Sequence, residues 1–256
     1  MTIAGSDPSG GAGIQQDLRT IESLGCYGAS VITALTTQNT LGVQSVMPVP
    51  ADVVKSQLEA VLSDLDVKTI KIGQIPSADV ALVIAETLRY QLSIINYQIP
   101  IVLDPVMIST SGRRLMSEDA IDIVVSELFP LCTLITPNIP EMETLSGLSG
   151  FNARNFNLLI KGGHAEGSEM ADRLCLAYGT ERVYATEKIE STNLHGTGCA
   201  LSSAIAASLA LGYPLEDSVA RGKDYVTEAI RRGKNLDIGH GNGPVFNPNG
   251  KLPSME

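Results

Sequence analysis

Short apolar runs alternate with stretches of helical periodicity along most of this chain. Thr2–Gly5 predicts a short strand, and Gly13–Leu24 predicts a helix stopped at Gly25. Ala29–Leu35 is apolar and β-branched, the pattern of a buried strand. Asp52–Leu65 sets Val53, Val54, Leu58, Val61, Leu62 and Leu65 at helical spacing. The alternation continues with a strand at Thr69–Gly73, a helix at Ala78–Ser93, a strand at Ile99–Asp104 that ends in Asp-Pro, a helix at Glu118–Leu128 and a strand at Cys132–Thr136. Beyond it, Ile139–Leu145 predicts a short helix, Leu158–Lys161 a strand, and Leu174–Ala177 with Val183–Ala185 a hairpin. Thr197–Leu211 is a helix of small residues stopped by Gly212, Leu215–Arg232 is an amphipathic helix, and Gly239–Gly243 is a glycine-rich loop.

Strand–helix alternation predicts an α/β fold, a mostly parallel central sheet with helices on both faces. No repeat, low-complexity tract or linker interrupts it, so residues 1–256 are expected to form one domain. The composition agrees. Hydrophobic residues make up 44% of the chain but aromatics only 4%, with no Trp, so the core must be built from Ala, Val, Ile and Leu. The formal net charge of −10 repels a nucleic-acid backbone, which argues against nucleic acid as a partner. A phosphate-bearing ligand would therefore need local positive partners. Cys26, Cys132, Cys175 and Cys199 form no C-x-x-C pair, and four scattered thiols fit a reducing cytoplasm. The first residues do not read as a signal peptide. The longest apolar segment, near Cys199–Leu211, contains serines and is too short to span a bilayer, so no membrane association is expected.

In open parallel sheets, ligands bind beyond the carboxyl ends of the strands, and the polar residues there carry the chemistry. Gly5-Ser6-Asp7-Pro8-Ser9-Gly10-Gly11-Ala12-Gly13 joins a strand to a helix. Its glycines allow close approach to an anion, or they simply make a tight turn. It is neither a Walker A loop nor a dinucleotide fingerprint, because no Gly-Lys-Ser/Thr follows and Gln16 stands where a third glycine belongs. Asn193-Leu194-His195-Gly196-Thr197-Gly198-Cys199 precedes the small-residue helix, where backbone N–H groups make an anion hole and lower the pKa of a cysteine. Packing explains the same glycines. Lys161, beside Gly162 and Gly163 at a strand end, is placed to reach a phosphate or solvent. Asn138 and Glu141 after Thr136-Pro137 suit either Mg²⁺ held through water or an ordinary helix start. Asp104-Pro105-Val106-Met107 is a strand-end carboxylate or a plain turn.

Taken in order, these segments resemble the hydroxymethylpyrimidine/phosphomethylpyrimidine kinases of thiamine biosynthesis, within the ribokinase-like superfamily. The match runs from Ala4-Gly5-Ser6-Asp7 and Gly10-Gly11-Ala12-Gly13-Ile14-Gln15 through Asp17-Leu18, Val31-Ile32-Thr33-Ala34-Leu35, Gln38-Asn39-Thr40, Lys71-Ile72-Gly73 and Asp104-Pro105-Val106-Met107. It continues through Thr136-Pro137-Asn138-Ile139-Pro140-Glu141, Lys161-Gly162-Gly163-His164, His195-Gly196-Thr197-Gly198-Cys199 and Gly239-His240-Gly241. The resemblance implies ATP-dependent phosphorylation of a pyrimidine hydroxymethyl group and then of the monophosphate, with Mg²⁺, in a cytoplasmic homodimer. It implies that Gly5 and Gln38 bind the aminopyrimidine, with Val106 packed near it and Asp17 and Gln74 on the same substrate side. Asn138 and Glu141 would serve the nucleotide phosphates and Mg²⁺, with Asp104 a second metal candidate. Lys161 would neutralise phosphate charge, and Gly196, Thr197 and Gly198 would form the anion hole. Cys199 would take the place of the superfamily's catalytic aspartate, where a thiolate accepts the hydroxyl proton.

Two features depart from the family pattern. Gln74 replaces a methionine near the pyrimidine, and only some ten residues separate Ser149 from Leu158, where the family carries a longer helical stretch. The same-fold alternative is a pyridoxal kinase, against which Gln38 argues because pyridoxal-specialised relatives tend to lose it. A non-catalytic pyrimidine-binding protein would not need the lysine and the anion hole. An NAD-type dehydrogenase would need the missing fingerprint.

Overall fold

The computed structural model describes residues 1–94, 98–109, 112–164 and 169–250. Its strands are β1 (Thr2–Ser6), β2 (Ser30–Asn39), β3 (Gly42–Pro48), β4 (Ile70–Ile72), β5 (Ile101–Leu103), β6 (Leu134–Ile135), β7 (Leu158–His164), β8 (Glu169–Cys175) and β9 (Glu181–Glu187). Its α-helices are α1 (Gly13–Ser23), α2 (Ala51–Asp64), α3 (Ala78–Ile94), α4 (Glu118–Ile123), α5 (Ile139–Ser146), α6 (Thr197–Ala210) and α7 (Leu215–Gly233). All nine strands join one sheet in the order β3-β2-β1-β4-β5-β6-β7-β8-β9. The run from β2 to β7 is parallel, while β3, β8 and β9 extend the two ends antiparallel. This is the α/β architecture with a mostly parallel sheet expected from the alternation.

Side-chain alternation along the strands splits the core into two layers. Ile101 and Leu103 of β5 pack with helices α2 to α5, whereas Val102 between them packs with α6 and α7. Leu158 and Leu159 of β7 divide the same way. The small residues of α6 let that helix lie close to the sheet, and Ala200, Ala204 and Ile205 are all buried.

Three expectations change. The expected strand Ala29–Leu35 extends to Asn39 and turns back as β3, whose exposed edge carries too little apolar alternation to announce itself. The helix expected at Glu118–Leu128 is α-helical only to Ile123 and then widens into a π-turn over Val124–Leu128. In the short stretch before β7, where the resemblance implies a longer helical segment, the structure has a 3₁₀ turn at Ala153–Asn155. Phe151 and Phe156 flank it, stack at 5.9 Å and meet Phe129 edge-on, which anchors the short connection to the core.

Lys71 lies between Ile70 and Ile72 and so points to the opposite face, into the space between α1 and α6. Its Nζ stands 2.9 and 2.8 Å from the two carboxylate oxygens of Asp17, and both side chains are fully buried. Asp17 also accepts from Thr2 Oγ1 at 2.6 Å and Ser203 Oγ at 2.9 Å. Burial alone would lower the lysine's pKa, but Asp17 outweighs it and holds Lys71 above its ordinary value. The assignment of Asp17 to the substrate is therefore corrected. Its carboxylate accepts four hydrogen bonds from three donor groups behind the sheet's ligand-binding end and does not border the cleft.

Candidate active site

A cleft of about 460 Å³ opens beyond the carboxyl ends of the parallel strands. One half is bordered by Gly5, Gln38, Gln74, Val106 and His195. Gly5 is the penultimate residue of β1, and a Cβ there would strike Gln74 Oε1 at 2.1 Å, so the amide of Gln74 occupies the space that glycine leaves. The Nε2 of Gln74 is buried without a hydrogen-bond partner.

The glycine-rich turn after β1 is organised by Asp7. Its Oδ1 accepts from the Ser9 N–H at 2.9 Å and the Ser9 hydroxyl at 2.7 Å, and its Oδ2 accepts from the Ala12 N–H at 2.9 Å. Oδ2 also lies 2.8 Å from His195 Nε2, which is in turn 3.0 Å from the side-chain amide of Gln38. Burial pushes Asp7 up, but the hydrogen bonds from His195 and Ser9 prevail and hold its carboxyl below the usual value.

At the centre of the cleft, Lys161 Nζ lies 2.5 Å from Asp104 Oδ1, which also accepts from Thr136 Oγ1 at 3.1 Å. The start of α6 faces this pair. Gly196 caps the helix in the left-handed region, φ 84°, and a Cβ there would meet Gly11 O at 1.9 Å. The two glycine-rich turns therefore pack against each other. A Cβ on Gly198 would sit 3.0 Å from Asp104 Oδ2 and 3.4 Å from Lys161 Nζ, so glycine lets the helix start close on the ion pair. The first N–H groups of a helix have no partner within it, and the dipole there favours an anion. Thr197 and Cys199 share the same wall of the cleft. Cys199 does not have the lowered pKa expected of that position. Burial raises it to about 11, against the pull of Lys71 and a backbone hydrogen bond from Gly13. The thiol is desolvated at the helix start, and desolvation wins.

Asn138 and Glu141 form a reciprocal cap on α5. Asn138 Oδ1 accepts from the Glu141 N–H, and Glu141 Oε2 accepts from the Asn138 N–H, both at 2.8 Å. The helix-start reading of these residues is thus correct as far as it goes, and both also border the cleft. Burial raises Glu141 to about 7, with Asp104 adding to the rise and Lys161 opposing it. For Lys161, burial pulls down, but Asp104 and Glu141 hold the ammonium above its ordinary value.

A phosphomethylpyrimidine kinase family model matches residues 7–246. The chain belongs to the phosphomethylpyrimidine kinase family. It is 44% identical to the hydroxymethylpyrimidine/phosphomethylpyrimidine kinase of Rhizobium meliloti over 96% of this chain and 95% of that one. The corresponding Escherichia coli enzyme is 41% identical with the same coverage. Among solved structures, a Clostridium difficile phosphomethylpyrimidine kinase aligns with TM-score 0.72 and 41% identity, covering 90% of this chain and 97% of that one. A Staphylococcus aureus pyridoxal kinase in complex with AMP-PCP and pyridoxal aligns at 0.82 with 30% identity, covering 97% of this chain and 92% of that one.

A member of this kinase family is a phosphotransferase, and its cleft should suit a nucleotide with a divalent cation. Among the described residues no cluster of three or more His, Cys, Asp or Glu makes a metal cage. Asp104 and Glu141 instead bring two carboxylates close enough for one to raise the other's pKa. Mg²⁺ is commonly held by one or two carboxylates with phosphate oxygens and water, so this sparse donor set fits it.

Sequence reasoning missed a second ion pair in the kinase. Lys223 Nζ of α7 contacts Asp172 Oδ2 of β8 at 2.7 Å, and Asp172 Oδ1 accepts from the Gly162 N–H at 2.9 Å. Gly162 sits at φ 80° beside Lys161, where the β7–β8 register shifts. The pair therefore braces the irregular backbone that carries the lysine. Lys223 and Asp172 are 51 residues apart, and no local motif announces them.

Proposed function

We propose that this kinase transfers the γ-phosphoryl group of ATP to the hydroxymethyl oxygen of 4-amino-5-hydroxymethyl-2-methylpyrimidine, and then phosphorylates the resulting monophosphate to the diphosphate. One observation carries the reading: Lys161, Asp104 and the glycine-rich start of α6 converge between two halves of one cleft. The ring lies with Gly5, Gln38, Gln74 and Val106. The nucleotide phosphates lie toward Asn138 and Glu141, near Lys161. The bond between the γ-phosphorus and its bridging oxygen breaks as the hydroxymethyl oxygen bonds to phosphorus, and ADP leaves. Charge on the transferring group is balanced by Lys161 and by N–H groups at Gly196, Thr197, Gly198 and Cys199. Glu141 and Asp104 would hold Mg²⁺, which would supply further charge neutralisation on the phosphates. The hydroxyl proton passes to the Cys199 thiolate.

The chain acts as one kinase domain in the cytoplasm. The open edge of β3, with Leu41 and Met47 exposed, supports a homodimer. Among the described residues no helix is long and apolar enough to cross a membrane. The fit to pyridoxal kinase structures favours a second reading, in which pyridoxal is a substrate. One ATP/Mg²⁺ assay with hydroxymethylpyrimidine, its monophosphate and pyridoxal side by side decides between them. The proposal expects both pyrimidines to be phosphorylated with kcat/KM well above that for pyridoxal, and a preference for pyridoxal overturns it.

A further inference from the structure

We infer that His195 is a specificity-determining positioning residue: held by Asp7, it fixes which end of the Gln38 amide faces which way, and so the donor–acceptor pattern offered to the substrate ring. The inference rests on the reading above that the ring lies at Gln38.

The donors and acceptors around that amide leave one consistent solution. His195 Nε2 is 2.8 Å from Asp7 Oδ2. Asp7 is held ionised and accepts from three other donors, and a carboxylate can only accept. The proton between them therefore sits on Nε2. A ring nitrogen that carries a proton has no lone pair left in the ring plane, so it cannot accept from Gln38 Nε2, the amide atom that stands 3.0 Å away. The opposite histidine tautomer would set two lone pairs against each other at 2.8 Å. Gln38 must present its oxygen to His195.

The other end of the amide leads to the same answer independently. Thr36 Oγ1 donates to the Ser6 carbonyl at 3.0 Å, which spends its one proton. It stands 3.3 Å from Gln38 Oε1, which it has no second proton to serve, so exchanging the two ends of the amide gives the hydroxyl a donor. The amide nitrogen belongs on that side. Ends of a Gln side chain are assigned by such networks, and here two neighbours agree. One N–H and one lone pair of the amide remain for a ring. Together they match an edge that pairs a ring nitrogen with an exocyclic amine, as an aminopyrimidine has. With the amide reversed, both would meet the wrong partner.

The backbone around His195 holds it in place. Its N–H donates to Gly243 O, and its carbonyl accepts from Val245 N, both at 3.1 Å. Asn193 fastens the same strap, donating to Gly233 O and Leu236 O at 2.7 Å and accepting from Gly243 N at 3.1 Å. The segment Gly239–Val245, which includes the Gly239-His240-Gly241 motif, thus buttresses the histidine.

The test is a double-mutant cycle of His195→Ala and Gln38→Ala, read as kcat/KM for hydroxymethylpyrimidine and for pyridoxal and as KM for ATP. His195→Ala is expected to lower kcat/KM for the pyrimidine by about tenfold to a hundredfold, because a misaligned amide leaves ring groups unpaired. The loss for pyridoxal should be smaller, the KM for ATP unchanged, and Gln38→Ala should add little to it. His195→Gln, which can still donate to both Asp7 and Gln38, should recover part of the loss and guards against misfolding of the alanine variant. Equal losses for both substrates, or additive effects in the cycle, overturn the inference. Nitrogen NMR of the unliganded enzyme reads the same point without substrate: a proton on His195 Nε2 is expected, and an unprotonated Nε2 overturns it. If Gln38→Ala leaves pyrimidine kinetics unchanged while Nε2 is protonated, the ring placement fails and the histidine orientation stands.

Discussion

Replacing Cys199 while varying pH tests the proton acceptor. The thiol is raised to about 11 by burial. At pH 7, four units lower, the thiolate fraction is only about 10⁻⁴, and at pH 9 it is about 10⁻². A thiolate base therefore predicts that the chemical step speeds up about a hundredfold from pH 7 to 9. Cys199→Ala should flatten this limb, and Cys199→Asp should move it to lower pH. The assay is single-turnover quenched flow with saturating ATP and hydroxymethylpyrimidine, so that product release does not hide the step. Stability sets the upper pH. The folded pKa exceeds the ordinary value of 9.0, so the thiol's contribution to stability is complete below that value. It is lost as pH rises toward 11, up to about 3 kcal/mol, which confines the measurement to pH 9 and below. A flat wild-type profile, with Cys199→Ala within about threefold of it, would refute the role. The thiol would then only pack beneath the helix start, leaving transfer to Lys161 and the N–H groups.

Three further outcomes are expected. Glu141→Gln keeps the cap on α5 but removes a buried charge; Glu141, raised to about 7, contributes stability that is full below its ordinary value of 4.5 and lost as pH rises through 7. The variant should therefore match wild type near pH 4.5 and exceed it at pH 8 by up to roughly 3 kcal/mol, read by thermal denaturation at both pH values; no gain at pH 8 rejects the buried-charge account. Lys161→Gln should lower kcat by more than it raises the KM for ATP, because charge shifts most in the transition state; small and equal changes in both would return Lys161 to a structural role. Gln74→Met removes the unpartnered amide nitrogen and should stabilise the unliganded protein by about 1 kcal/mol in urea titrations, and a loss of stability would mean that the nitrogen has a partner.

The strands and helices of the parallel region were legible because each is buried on a defined face: Val54 and Leu58 mark α2 as clearly as Ile101–Leu103 marks β5. What stayed hidden lies at the margins of the sheet. β3 is an exposed edge, and β8 reads Glu-Met-Ala-Asp-Arg-Leu-Cys, where only part of one face is buried, so period-two alternation is weak. The cleft borders at Gly5, Val106, Asn138 and Lys161 could be named because each lies at or just after a strand end, Gly196–Cys199 because they open a helix, and Gln38 only through the family resemblance. Asp17 was misplaced because its motif on α1 is intact while its partner, Lys71, is 54 residues away on β4. Asp7 and His195 are 188 residues apart, and only the folded sheet brings them together. Cys199 shows a different limit: position along a helix is visible in sequence, but the degree of desolvation that sets a pKa is not.

The strap that holds His195 has a consequence for synthesis of the protein. Asn242 N bonds to Thr40 O at 2.9 Å, and Val245 N bonds to His195 O, so this late segment links the tip of the β2–β3 hairpin to the start of α6. Chains leave the ribosome N-terminus first, at roughly 5–20 residues per second. Residues 1–39, which contribute Gly5, Asp7 and Gln38, therefore emerge more than 200 residues before the strap that completes their surroundings. A nascent chain can build most of its sheet early, yet the surroundings of Gln38 and His195 are complete only once residues 239–245 have emerged.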